Sequence, residues 1–157
     1  MAAAIRSAFG AAVDPGPAQE RPAYSYNETR QQFHAAAVLR RLANLPGRGP
    51  RAPVLGVVDA DLFVPDAPFV FGEADRDAMT AVVSVARLKV AGDTRPVGAE
   101  RLRHRIQVEA VHEVGHLAGL SHCSDSRCAM FLSHSPADSD RKHPTLCANC
   151  RTALGVP

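Results

Sequence analysis

The chain has no tryptophan, only two tyrosines, and only two lysines, Lys89 and Lys142. Without aromatic residues to stack on bases, and with a formal net charge of only +2, it lacks the two features a nucleic-acid surface needs. The arginines that supply nearly all the positive charge are scattered and form no basic strip. No apolar run approaches the roughly 18–20 residues of a membrane span. The alanine-rich start is broken by Arg6, and no apolar core of a secretory leader follows it. There is no internal repeat and no low-complexity tract. What remains is a chain of 157 residues, 46% hydrophobic and 22% charged, the size and composition of one soluble domain with its own core. We expect a cytoplasmic monomer with no nucleic-acid or membrane partner.

The stretch HEVGHLAGLSHC, His112 to Cys123, is the densest chemical feature. His112 and His116 are four apart, so on a helix they lie on one face about one turn from each other and can aim two imidazoles at one zinc ion. Glu113 sits about 60° around the helix from His116, beside a metal without having to ligate it, as a general base would. His122 would fall about 240° from His116 if the helix ran on. Gly119 is therefore expected to end the helix through a left-handed turn and bring the third histidine back. Leu102, Ile106, Ala110, Val114 and Leu117 recur at helical spacing and predict a core-facing stripe opposite a cleft that holds the histidines.

Cys123 and Cys128, then Cys147 and Cys150, form two close pairs separated by about twenty residues. Two such pairs supply the two edges of a tetrahedral structural zinc site. Disulfides and a redox CxxC are the alternatives, but a redox CxxC belongs at a helix start after a βαβ unit that is missing here. Met130 follows Cys128 by two and is either a core filler or a methionine packed beneath the metal ligands. His34, His104, His134 and His143 read as surface residues.

Elsewhere the pattern predicts a short helix or loose segment over 1–13, and a loop over 14–22. A helix capped by Asn27 is expected to run to about Leu45, followed by a turn-rich linker over 48–53. Strands are expected at Val54–Val58, at Phe69–Ala74 as an edge strand, and at Thr80–Val90. The segment 91–98 leads into the metal helix, which begins between 95 and 100 with Pro96 in its first turn. A short helix is expected at Ala148–Leu154. The order fits a single α/β domain over 1–157 with a small mixed sheet, a catalytic motif at 112–122 and a zinc-stabilised C-terminal segment at 123–150.

HEVGHLAGLSHC followed by Cys128, Met130, Cys147 and Cys150 resembles the archaemetzincins, a branch of the metzincin zinc peptidases. The spacing from Met130 to Cys147 is about one residue shorter than in that family's pattern. LGVVDADLFVPDAPFVFGEA, VVSVARL and AERLRHRIQVEAVHE also resemble its segments, so the likeness covers about residues 27–151. It implies a metzincin-like fold and a peptidase acting on peptides or proteins, with two Zn2+ per chain. His112, His116 and His122 would hold the catalytic zinc, and Glu113 would activate its water. Met130 would form the Met-turn, the four cysteines would hold the structural zinc, and FVFGEA would be the edge strand along the cleft. The family pattern places a strand ahead of a helix like residues 1–10, for which this chain has no room. A zinc-stabilised peptide-binding module with little or no catalysis is the competing reading. An endoribonuclease with a related three-histidine pattern lacks the glutamate present here.

Overall fold

The structure, a computed structural model, describes residues 1–49, 51–91 and 95–155. Pro50 in the expected linker and residues 92–94 of the lead-in to the metal helix lie outside them. The order is α1 (Ala2–Phe9), a 3-10 turn (Ala23–Ser25), β1 (Tyr26–Asn27), β2 (Gln32–His34), α2 (Ala35–Ala43), β3 (Val54–Val58), β4 (Leu62–Val64), β5 (Ala67–Val70), β6 (Gly72–Asp75), β7 (Thr80–Ser84), α3 (Ala99–Leu117), α4 (Pro136–Arg141) and α5 (Ala148–Leu154). The strands divide into two small mixed sheets, in the orders β1-β2-β4-β5 and β3-β7-β6. In the second, β3 runs parallel to β7, and β6 runs antiparallel to β7 on the other side.

Every residue of β7, TAVVS, is buried, because α2 packs on one face of its sheet and α3 on the other. A strand covered on both faces reads as a continuous apolar run rather than an alternation, and this one does. Phe33, Leu39, Leu62 and Val82 fill the layer toward α2, while Phe71, Val83 and Leu88 fill the layer toward α3. Leu62 is fully buried, so truncation to alanine is expected to cost about 2–5 kcal/mol.

Four sequence expectations change here. The helix expected from Asn27 begins only at Ala35, because residues 26–34 form a hairpin instead. Asn27 caps a turn, with its Oδ1 accepting the Arg30 N–H at 2.9 Å, and Gln31 takes a left-handed φ of 54° that no helix tolerates. Phe33 then pairs in parallel with Leu62 and is buried, so a long-range contact overrides local helix propensity. The expected strand at 69–74 breaks at buried Phe71, leaving β5 in one sheet and β6 at the edge of the other. The expected strand at 80–90 ends at Ser84, whose hydroxyl donates to the Ala60 carbonyl at 2.6 Å and accepts the Ala86 N–H at 3.2 Å, starting a turn. Pro96 is not in the first turn of α3. It pairs with Val90 in an isolated bridge, and the helix starts at Ala99 after Gly98.

The two-faced picture of α3 is also revised. Leu102 and Ile106 pack toward β7 as expected, but Val114 is only half-buried. From Val108 to Glu113 every residue is buried, the histidine side included. The sheet lies against one side of α3, α1 packs on it as well, and the loop around Met130 closes over the end that carries the histidines. Expected as either a short helix or a loose segment, residues 1–13 form α1, which buries Ile5 and Ala8.

Candidate active site

The last two turns of α3 carry His112, Glu113 and His116, and the chain then stops being helical. Gly119 has a φ of 96°, and its N–H bonds to the His116 carbonyl at 3.0 Å. The Leu120 N–H reaches the Gly115 carbonyl at 2.9 Å, completing a Schellman closure in which a left-handed residue satisfies the open carbonyls of the last turn. This is the hinge expected from the sequence, and it turns His122 back over the helix end.

The three imidazoles converge. Their ring centroids lie 4.6 Å (112–116), 5.3 Å (112–122) and 5.0 Å (116–122) apart. His112 Nδ1 lies 2.8 Å from the Ala129 carbonyl, and His116 Nδ1 lies 2.8 Å from the Leu120 carbonyl. A carbonyl only accepts, so both rings donate from Nδ1 and keep a lone pair on Nε2. Those two Nε2 atoms face each other at 3.0 Å. Two lone pairs that close repel unless a cation lies between them, and a tetrahedral zinc with arms of about 2.0–2.1 Å would set its donors about 3.3 Å apart. The donor set fits that metal. Burial, reinforced by the charges of Lys142, His116 and His122, pushes the His112 pKa down to about 3, so its ring stays neutral and able to ligate. Burial likewise lowers His122, which is the exposed member of the three.

Glu113 is 4% exposed. Burial, with Glu109 and Glu73 adding like charge, raises its pKa well above the ordinary carboxyl value. The nearby charge of a divalent cation would draw it back toward ionisation. Its carboxylate rests on the backbone of Gly72 at the start of β6, where a Cβ would overlap Glu113 Oε1. Met130 is fully buried, and its sulfur lies against Gly115, where a Cβ would overlap Sδ. The methionine thus sits under the histidine-bearing turn of α3. Beside β6 lies an open cleft of about 440 Å³, lined among others by His34, Leu39, Val64, Glu73 and Arg76.

The four cysteines form the second cluster. They carry no disulfide, and each offers a sulfur within 4.8 Å of the others. Cys123 Sγ is 3.7 Å from Cys147 Sγ, and Cys128 Sγ is 3.8 Å from Cys150 Sγ. A tetrahedron with zinc–sulfur arms of about 2.3 Å has edges of about 3.8 Å, so this donor set also fits. Burial opposes ionisation at Cys128 and Cys150, and at Cys147 the hydrogen bonds from Cys150 and its neighbours outweigh it. The Asp125 N–H points at Cys123 Sγ and the Cys147 N–H at Cys128 Sγ, each at 3.4 Å.

Sequence reasoning missed Gly72 and Gly115, whose roles are purely a matter of space, and it missed Glu109 and Lys142. His104 is not a free surface residue either, since its Nε2 lies 3.0 Å from the Lys142 carbonyl. His34 ends β2 half-buried, with no hydrogen-bond partner for its Nδ1, and joins neither cluster.

A buried glutamate beside converging histidines, on a helix closed by a glycine turn above a packed methionine, is the pattern of a zinc metallopeptidase motif. The chain matches the model of peptidase family M54 over residues 20–155 and belongs to that family. It is 41% identical over 133 residues to the archaemetzincin of Methanopyrus kandleri, covering 85% of this chain and 71% of that one. The archaemetzincin of Archaeoglobus fulgidus is 36% identical over 154 residues, covering 98% and 88%. Among solved structures, a zinc-dependent peptidase from Methanocorpusculum labreanum superposes with a TM-score of 0.87 at 27% identity, covering 98% of this chain and 90% of that one. The A. fulgidus archaemetzincin, complexed with malonate, superposes with a TM-score of 0.77 at 36% identity, covering 94% and 85%. The family and the mixed α/β fold expected from the sequence are both borne out.

Proposed function

We propose that this metallopeptidase works with two zinc ions on one domain spanning residues 1–157. His112, His116 and His122 hold the catalytic ion, and Cys123, Cys128, Cys147 and Cys150 hold the structural one. The observation that carries the reading is the convergence of three imidazoles beside a buried carboxylate on one helix end. When bound, a three-histidine zinc acidifies water and polarises a carbonyl as a Lewis acid. The protein's own groups do the rest. Glu113 takes a proton from the water whose oxygen bonds to the scissile carbonyl carbon, and it delivers that proton to the nitrogen as the C–N bond breaks. Gly72 leaves the space that this carboxylate occupies. The outer edge of β6 has no strand partner among the described residues, so an extended peptide can add there as a further strand with alternate side chains reaching the neighbouring cleft. Met130 supports the helix from below.

Among the described residues no helix is long and apolar enough to cross a membrane. The same reading gives a cytoplasmic monomer that acts on peptides or proteins and binds neither nucleic acid nor membrane. The test is a peptide-library cleavage screen of the wild type beside Glu113→Ala, with zinc counted in both. Two zincs per chain with glutamate-dependent cleavage supports the enzyme, whereas two zincs with no cleavage by the wild type supports a peptide-binding module.

A further inference from the structure

Lys142 is one of only two lysines in the chain, and its side chain is fully buried. A lysine in the interior is costly unless each of its three N–H donors finds an acceptor. Here each does. Nζ lies 3.3 Å from Glu109 Oε1, 3.1 Å from the Ala129 carbonyl and 2.9 Å from the Phe131 carbonyl. Glu109 is equally enclosed, and the same oxygen accepts the hydroxyls of Ser133 at 2.9 Å and Ser139 at 2.6 Å.

The placement of these acceptors is informative. Ala129 and Phe131 flank Met130, so the ammonium clamps the two carbonyls on either side of the methionine. The Ala129 carbonyl also accepts the His112 Nδ1–H at 2.8 Å, which fills both of its lone pairs. Glu109 lies on α3, one turn before Glu113 and three residues before His112. The ion pair therefore ties the histidine-bearing helix to the loop whose carbonyl orients a histidine of that same helix. The cation itself is carried beyond α4, whose Ser139 supplies one of the hydroxyls, and Asp140 there binds Arg105 of α3 through two contacts of 2.7 Å. A lysine buried only for packing has no need to spend two donors on the carbonyls either side of one methionine and the third on the helix that carries the histidines.

We infer that the buried Lys142–Glu109 pair is a positioning device for the three-histidine site, fixing the Ala129 carbonyl that sets the orientation of the His112 ring. Outer groups that orient a metal-binding histidine typically change metal affinity by about 10–100-fold when removed. The inference rests on the reading of His112, His116 and His122 as ligands.

The test uses the full chain. Zinc at the histidine site is withdrawn with a chelator and its affinity measured on return, and cobalt(II) is then bound there to record its d–d spectrum. Lys142→Met is expected to weaken zinc at this site by about 10–100-fold and to shift the d–d band. Zinc retained at the cysteine site, counted by metal analysis, should stay at the wild-type content. Because Lys142→Met strands a buried carboxylate, Glu109→Gln/Lys142→Met is the companion variant, removing both charges so that no unpaired ion is left inside. That variant is expected to melt close to wild type and still to bind zinc weakly. A merely structural role predicts the opposite, with affinity returning along with stability. Wild-type affinity and an unchanged cobalt band in the folded double variant overturn the positioning role. Failure of the wild type to hold any zinc that His116→Ala loses overturns the ligand reading itself, a separate outcome.

Discussion

The histidine cluster and the cysteine cluster meet at neighbouring residues, His122 and Cys123, yet they are built in opposite ways. The histidines stand on regular structure. Two ride successive turns of a helix, the third returns through a hydrogen-bonded turn, and backbone carbonyls hold two of the rings by Nδ1. The cysteines stand on a segment with little regular structure, with only Cys147 and Cys150 at the start of the short α5. In the first site regular structure brings three ring nitrogens to one point. In the second the donors come from a segment with little helix or strand, held to α3 by packing and by the Lys142–Glu109 and Arg105–Asp140 pairs. The partly open histidine site has room for chemistry at its exposed member, His122, while Cys128 and Cys150 are buried and the four sulfurs point at one another.

Removing the base from the histidine site gives the largest contrast. Glu113→Gln should lower peptide turnover by about 10²–10⁴-fold and leave zinc at both sites, which metal analysis beside kinetics will check. His116→Ala should instead lose one zinc of the two. A variant that keeps the ligands and crowds the base comes next. Gly72→Ala places a Cβ where Glu113 Oε1 now sits, so kcat should fall by about 10²-fold with metal content unchanged. An unaltered kcat would mean that the carboxylate works from another position. Gly115→Ala presses on the Met130 sulfur and should cost about 1–3 kcal/mol of stability, read as a lowered melting temperature. The smallest effect is expected at the hinge. Gly119→Ala puts a side chain at a φ of 96° and against the Arg76 guanidinium, so it should destabilise by about 1 kcal/mol and loosen zinc at the histidine site more than at the cysteine site.

The contrast between the two sites also explains what the sequence could reveal. His112, Glu113, His116 and Gly119 were legible because helical spacing and one forced turn are local facts. The cysteine pairs were legible because a tetrahedron needs two close pairs, wherever the chain wanders between them. The hairpin at 26–34 was not legible, since its stability comes from Phe33 against Leu62, a contact across 29 residues. Phe71 gives no local sign that it divides one apparent strand between two sheets. Lys142, amid serines, aspartates and a proline, has the local surroundings of a solvated residue, and only the folded chain brings Glu109 and two loop carbonyls to its three donors. Gly72 and Gly115 are silent for the same reason, because a missing side chain matters only where another group fills the space.

The two sites are joined at adjacent residues, His122 and Cys123. Cys123 donates its N–H to the Met130 carbonyl at 2.9 Å, so the cysteine cluster is tied both to His122 beside it and to the methionine below α3. Zinc affinity at the histidine site of Cys147→Ser/Cys150→Ser, measured against the wild type, tests this most directly. Zinc at the three histidines is expected to bind more weakly once the four-sulfur site is lost. Wild-type affinity there would contradict it and leave the two sites as neighbours without connection.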